Sequence, residues 1–352
     1  MVTETYLKKA LRAAEGQTTK ALKGYLDQAS KRIICDRQVL ARIVKECVKE
    51  AARFSISELE KLIPGEIQVS DAFVDRFETE VRKQDPGPVR QENTEDGTVD
   101  EGTVRFDILF TLELPGEKDP VLLVINVEIQ NRADLPYPLP ARSADYSCRL
   151  VSRQGTDYKN LKKVYSVWIV TDPQGKAPKN TSSQLVIAER DPVSGALREA
   201  PAAAQVFEVW MLYLGDPKDV EPSLLRMLDV IFTQKMNIEE KTSILHDEFD
   251  MQMTTRTTED LERILDMELA IEARGRAEGR AEGRAEGRAE GIARGLLQMG
   301  LMGHMGADVI MAALIQHFGG DQEKAQDAFR AYLEEHPAEG LYLAGTLPWL
   351  QN

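Results

Sequence analysis

The sequence predicts an α/β domain with an α-helical carboxyl-terminal extension, and three observations predict it. Two β-rich apolar runs, Thr103–Leu114 and Val121–Gln130, are joined by the turn-forming PGEKDP. Helical periodicity flanks them over 36–53 and over Ala141–Arg153, and another β-rich run follows at Lys163–Val170. From Pro222 onward the pattern is helical almost to the end. The order helix, hairpin, helix, strand is that of a mixed central sheet covered by helices.

In residues 36–53, Val39, Leu40, Ile43, Val44, Cys47 and Val48 recur at helical spacing and form one apolar stripe, with Asp36 placed to cap the first turn. From there through Glu101 the chain is polar and rich in turn residues, with one short strand near Ile67–Val69. It reads as a long surface loop over the mouth of the sheet. Val121–Gln130 is apolar on both faces for most of its length, which places it centrally and covers it on both sides. The helix over Ala141–Arg153 offers Tyr146, Cys148 and Leu150 to the interior. Gln205–Leu214 is a further strand-like segment.

Helices are then expected from Pro222 to about Met236, from Asp260 to the end of the repeats, and as a pair at Ala307–Phe318 and Gln322–Glu335 parted by Gly319-Gly320. Three regions result: a core domain over 1–235, a helical linker over 236–300 and a small helical module over 301–352. The linker holds the internal repeat RGRAEGRAEGRAEGRAEG, which sets Gly275, Gly279, Gly283, Gly287, Gly291 and Gly295 four apart. A period of four is close to the 3.6 of a helix, but each glycine costs roughly 1 kcal/mol against alanine in a helix interior. The stripe serves either close packing of a homo-oligomer or nothing beyond a solvated linker.

Composition narrows the function classes. With 42% hydrophobic and 29% charged residues the chain is neither disordered throughout nor a membrane protein. The charged amino terminus has no apolar stretch of signal-peptide length, so a cytoplasmic location is expected and a membrane partner is not. Cys35, Cys47 and Cys148 are too widely spaced for a zinc pair and read as reduced packing residues. The net charge of −14 disfavours nucleic acid as a partner. Residues 1–190, however, hold as many basic as acidic side chains, so all of that acidity lies further on. No dinucleotide fingerprint or Walker loop is present.

Asp107 in the first β-rich run and Glu128 near the end of the second are acidic residues within apolar strands, which is costly without partners. Alternation puts Glu128 and Gln130 on one face, and hairpin pairing can bring Asp107 beside them. Two hard carboxylates on adjacent rigid elements suit a divalent ion that polarises a phosphate and activates a water. The bland alternative is an edge aspartate and a strand-end glutamate that are merely solvated. Arg142, Tyr146 and Arg149 share a helix face at i, i+4 and i+7 and suit DNA phosphate contacts, although a tyrosine packed on the sheet between two solvated arginines has the same pattern.

The segments NTEDGTVDEGTVRFDI, INVEIQNR, YPLPARSADYSCRLVSRQG and KKVYSVWIV follow one another in Asn93–Arg153 and Lys162–Val170. In these the chain resembles the bacterial proteins named PD-(D/E)XK nuclease family transposase, relatives of the recombination-promoting nucleases. The resemblance implies a restriction-endonuclease-like core, Mg2+ or Mn2+ as cofactor, DNA as substrate and phosphodiester hydrolysis as activity. It implies that Asp107 is the motif aspartate, Glu128 the second metal ligand, and the backbone carbonyl near Ile129 a third. Gln130 stands where the nominal motif has lysine, and an amide cannot supply that positive charge. Such nucleases often add an acid from the first helix, for which Glu46 or Glu50 is available, Glu46 being the choice. Strand transfer is implied by no residue. The competing readings are a DNA-binding or regulatory protein that keeps the nuclease fold with decayed chemistry, and a helical oligomerising adaptor built on the glycine stripe.

Overall fold

Side-chain alternation along the central strands builds two apolar layers, one on each face of a single sheet. The computed structural model describes residues 17–65, 67–69, 95–98, 102–132, 135, 137–173 and 177–336, and it divides the chain into one compact unit ending at Ile271 and a second beginning at Glu272. Strands of the first unit are β1 (Gln68–Val69), β2 (Glu95–Thr98), β3 (Gly102–Arg105), β4 (Ile108–Leu114), β5 (Val121–Arg132), β6 (Lys163–Asp172), β7 (Thr181–Leu185), β8 (Ala188–Arg190), β9 (Leu197–Glu199) and β10 (Phe207–Tyr213). Six of them form one sheet in the order β1-β4-β5-β6-β10-β7, with the two-residue β1 at its edge. The expected hairpin is present: β4 pairs antiparallel with β5 from Ile108↔Val127 to Leu114↔Val121. β5 then runs parallel to β6, and β6 parallel to β10, so the sheet is mixed.

On one face, Ile125 and Val127 of β5 and Tyr165 and Val167 of β6 join the larger core. Helices α1 (Thr19–Ile34), α2 (Arg37–Cys47), α3 (Ile56–Leu62), α5 (Leu224–Phe232) and α6 (Ile238–Phe249) contribute to that core, as does the start of α7 (Thr255–Met302). The other face is covered by α4 (Leu139–Ser152), which buries Leu139, Tyr146 and Leu150 against Val124, Val164 and Trp168. Each such buried side chain stabilises the fold by roughly 1.5–3 kcal/mol.

Several elements depart from the sequence expectation. Helix α1 falls outside the expected elements, although Leu22, Leu26, Ala29 and Ile33 make a helical stripe, all four are buried, and Thr18 caps it by accepting from the Ala21 N–H. The expected loop before Glu101 contains α3, opened by a capping box between Ser55 and Glu58, and β2, which pairs with β3 beyond it. Helix α5 ends at Phe232 rather than Met236, and α6 follows with its own capping box at Asn237 and Glu240. The first unit runs to Ile271, past the boundary at 235, because Ile238 and Leu245 of α6 and Leu261, Ile264 and Leu265 of α7 belong to the larger core. Cys47 is buried and Cys35 half-buried, but Cys148 is exposed on α4 rather than turned to the interior.

In the second unit the glycine repeat is helical throughout, as its period predicts. Beyond it, Ala293, Leu297 and Leu301 of α7 pack with α8 (Ala307–His317) and α9 (Gln322–Glu335) through Ile310, Leu314, Phe329 and Tyr332. Gly300 is required there, since a Cβ would come within 2.6 Å of Ile310 Cγ1. Among the described residues, no helix is long and apolar enough to cross a membrane.

Candidate functional site

The site starts at a break between strands. The sequence places Asp107 inside one strand, Thr103–Leu114, whereas β3 ends at Arg105 and β4 begins at Ile108. Bonds to side chains replace ladder bonds at this point: the Asp107 N–H donates to Glu128 Oε1 at 3.2 Å, and the Ile129 N–H donates to Asp107 Oδ2 at 3.0 Å. Asp107 and Glu128 are thus interlocked across the end of the hairpin.

Glu128 lies on the α4 side of the sheet and is 3% exposed. Asn126, two residues earlier on the same face, is fully buried; with its amide nitrogen toward Glu128 it donates to Glu128 Oε1 at 3.0 Å and to the Ile108 carbonyl at 3.3 Å, while its oxygen accepts from Ser166 Oγ at 3.0 Å. Trp168 Nε1–H donates to the same Ser166 Oγ at 2.9 Å, which closes a buried polar chain across β5 and β6. Burial, reinforced by the Asp107 carboxylate, pushes the Glu128 carboxyl well above the usual carboxylate range, against the opposing influence of the Asp107 N–H, Arg142 and Asn126. A buried acid held beside another acid is stabilised in its charged form by any cation that joins them.

Helix α1 brings one cation. Lys31 Nζ lies 2.9 Å from Asp107 Oδ1 and 2.7 Å from Asp27 Oδ2, with its side chain 6% exposed. Burial alone would favour the neutral amine, but the carboxylates of Asp107 and Asp27 outweigh it and hold the group above the ordinary lysine range. Sequence reasoning assigned neither residue to the site. The i, i+4 spacing of Asp27 and Lys31 on a stripe-bearing helix is visible in the chain, yet nothing local links position 31 to position 107.

A second cation comes from α4. Arg142 Nη1 donates to Tyr137 OH at 2.8 Å and, more distantly, to Gln130 Oε1 at 3.5 Å; Nη2 donates to Tyr146 OH at 2.7 Å. Its guanidinium lies over the rings of Tyr137, Tyr146 and Trp168. Tyr146 is buried, edge-on to Phe106 and Trp168 with ring centroids 5.3 Å apart in both pairs, and its hydroxyl fixes Arg142. Arg149 is paired with Asp145 one turn back at 3.1 Å. Of the three helix residues read as phosphate contacts, the structure ties Arg142 to the site through Gln130, buries Tyr146 beneath it and pairs Arg149 on the helix itself.

The first-helix acids fall elsewhere. Glu46 is exposed on α2, and Glu50 accepts from Tyr165 OH at 2.6 Å near the start of β6. The helical acid linked to Asp107 is Asp27. Ile129 contributes its N–H to Asp107 and pairs in register with Ile169 of β6.

Among the described residues, no group of three or more His, Cys, Asp or Glu is placed to hold a metal ion. The donor set at the break is two hard carboxylates, Asp107 and Glu128. That set suits Mg2+, which keeps several waters and takes one or two protein carboxylates beside substrate phosphates, and does not suit zinc, which prefers nitrogen and sulfur donors.

Fold and site together define an α/β protein with a mixed sheet, an interlocked acidic pair at a strand break, and a lysine and an arginine brought to that pair by helices on opposite faces. Compared with known proteins, the chain matches no family model, no curated protein and no solved structure.

Proposed function

We propose that this chain is a metal-dependent DNA endonuclease of the PD-(D/E)XK type, with a restriction-endonuclease-like core and kinship to the transposase and recombination-promoting nucleases. The observation that carries the reading is the coupling of Asp107 to the buried Glu128, whose carboxylate accepts the Asp107 N–H while that of Asp107 accepts the Ile129 N–H. Asp107 and Glu128 would hold Mg2+ or Mn2+, with the backbone at Ile129 as a further oxygen donor. Bound there, the ion would polarise a phosphate and lower the pKa of a water. Arg142, oriented by Tyr137 and Tyr146, presents a planar fork suited to phosphate oxygens. Gln130 accepts from that fork and helps to aim it.

Cleavage of supercoiled plasmid in Mg2+ or Mn2+ tests the proposal. Asp107→Ala and Glu128→Ala should each lower the rate by roughly two orders of magnitude or more, and chelation should abolish it. Equal nicking by wild type and both variants would mean contamination and sink the enzyme reading.

The second reading keeps the fold and DNA binding without turnover. In its favour, Asp107 Oδ1 is already engaged by Lys31. Metal-independent retention of a DNA duplex with no cleavage would select it. Self-association through the repeat remains part of the proposal, supported by the open glycine stripe: a Cβ at each position from Gly275 to Gly295 meets no atom within 4 Å. Sedimentation of the full chain as a monomer would remove it.

A further inference from the structure

Position 130 carries an amide on the face shared with Glu128, so that position of β5 brings no positive charge to the acidic pair. The pair nevertheless has one within hydrogen-bonding distance. Lys31 reaches Asp107 from α1, a helix that packs on the opposite face of the sheet from α4, and its ammonium bridges Asp107 Oδ1 and Asp27 Oδ2. The side chain is almost fully enclosed, so the charge has little bulk water to screen it.

Two features argue against an incidental surface ion pair. The partner that holds Lys31 from behind, Asp27, sits one turn earlier on the same helix, so the ammonium stays in place when its bond to Asp107 is exchanged for another acceptor. And Asp107 uses its two oxygens differently: Oδ2 is fixed by the Ile129 N–H, while Oδ1 faces Lys31. A divalent ion drawn to the acidic pair would meet Lys31 at Oδ1.

We propose that Lys31 is the fixed positive charge of this site, supplied from helix α1 in place of a strand lysine at position 130, and that it shares Asp107 with the divalent ion. Held by Asp27, the ammonium released from Asp107 turns its donors to a phosphate oxygen or to the attacking water. Asp27 is then a positioning residue, acting through Lys31. The proposal rests on the nuclease reading for its chemistry, but its competition with the metal is measurable without turnover.

The experiment is a Mn2+ titration of the full-length protein by calorimetry, for wild type, Lys31→Met, Lys31→Arg and Asp107→Asn, paired with plasmid cleavage at saturating Mn2+. Circular dichroism of each variant establishes that it is folded. Removing the competing charge should tighten Mn2+ binding in Lys31→Met by about tenfold, while cleavage falls by about a hundredfold. Lys31→Arg should keep wild-type Mn2+ affinity and recover part of the rate, which a purely structural ion pair would not produce.

Unchanged or weaker Mn2+ binding in a folded Lys31→Met protein would overturn the proposal even where cleavage depends on Asp107. Tighter binding in Lys31→Met, with no cleavage by wild type, would uphold the shared Asp107 and overturn the nuclease reading. Wild-type Mn2+ binding that is absent, or indifferent to Asp107→Asn, would overturn both.

Discussion

The strand-break site and the glycine repeat are opposite ways of placing charged residues. At the break, Glu128, Asn126 and Lys31 are buried and Asp107 half-buried, and each has a named partner on another element. Along the repeat the glutamates and most arginines are exposed, the glycines face open space, and ion pairs such as Arg276 with Glu272 and Arg274 with Glu278 lie within the helix. Burial makes an unpaired polar atom expensive, so the first region tolerates little change. Exposed pairs are worth only tenths of a kcal/mol, so the second tolerates much.

The largest break in that contrast is expected at Asn126. Asn126→Leu strips donors from Glu128 and the Ile108 carbonyl and an acceptor from Ser166, and should cost about 3 kcal/mol, read as a shift in the urea midpoint. A cost near that of an exposed substitution would mean the polar chain is not cooperative.

Next comes the pH dependence of Glu128. Its folded pKa is raised above the unfolded value of about 4.3, so the stability it contributes is fully present below that value and is lost as pH rises through the folded one. In chelator, Glu128→Gln should therefore be more stable than wild type at pH 8, with the advantage fading towards about pH 4. Thermal melts that run parallel across this range would refute the burial argument.

The smallest effect belongs to the repeat. Gly283→Ala meets no neighbouring atom of its own chain and should stabilise the helix of a monomer by about 1 kcal/mol or less, seen as slower local amide exchange. A loss of stability or a change of oligomeric state would show that the stripe is covered by another molecule.

Much of the α/β unit was legible because its signals are local. The β4–β5 hairpin follows from period-two alternation around a Pro/Gly turn, and the two-sided burial of β5 from its run of apolar residues. Asp107 and Glu128 stood out as acids in apolar text. Their mutual hydrogen bonds did not, because a strand pattern carries no mark for the two residues at which pairing stops. Helix α3 and the β8–β9 hairpin are short, and their caps and turns are easily absorbed into loop text.

By itself the sequence determined the succession of α2, the β4–β5 hairpin, α4, β6, β10 and α5, the face that Glu128 and Gln130 share, and the helical character of the repeat, since each depends on residues a few positions apart. Only the tertiary structure decided that Asp107 lies in a gap rather than a strand, that Tyr146 serves Arg142, and that Lys31 and Asp27, rather than Glu46, are the α1 and α2 residues linked to Asp107. Those outcomes depend on where α1 and α4 cross the sheet. That crossing is fixed by the packing of two apolar layers, which no local spacing encodes.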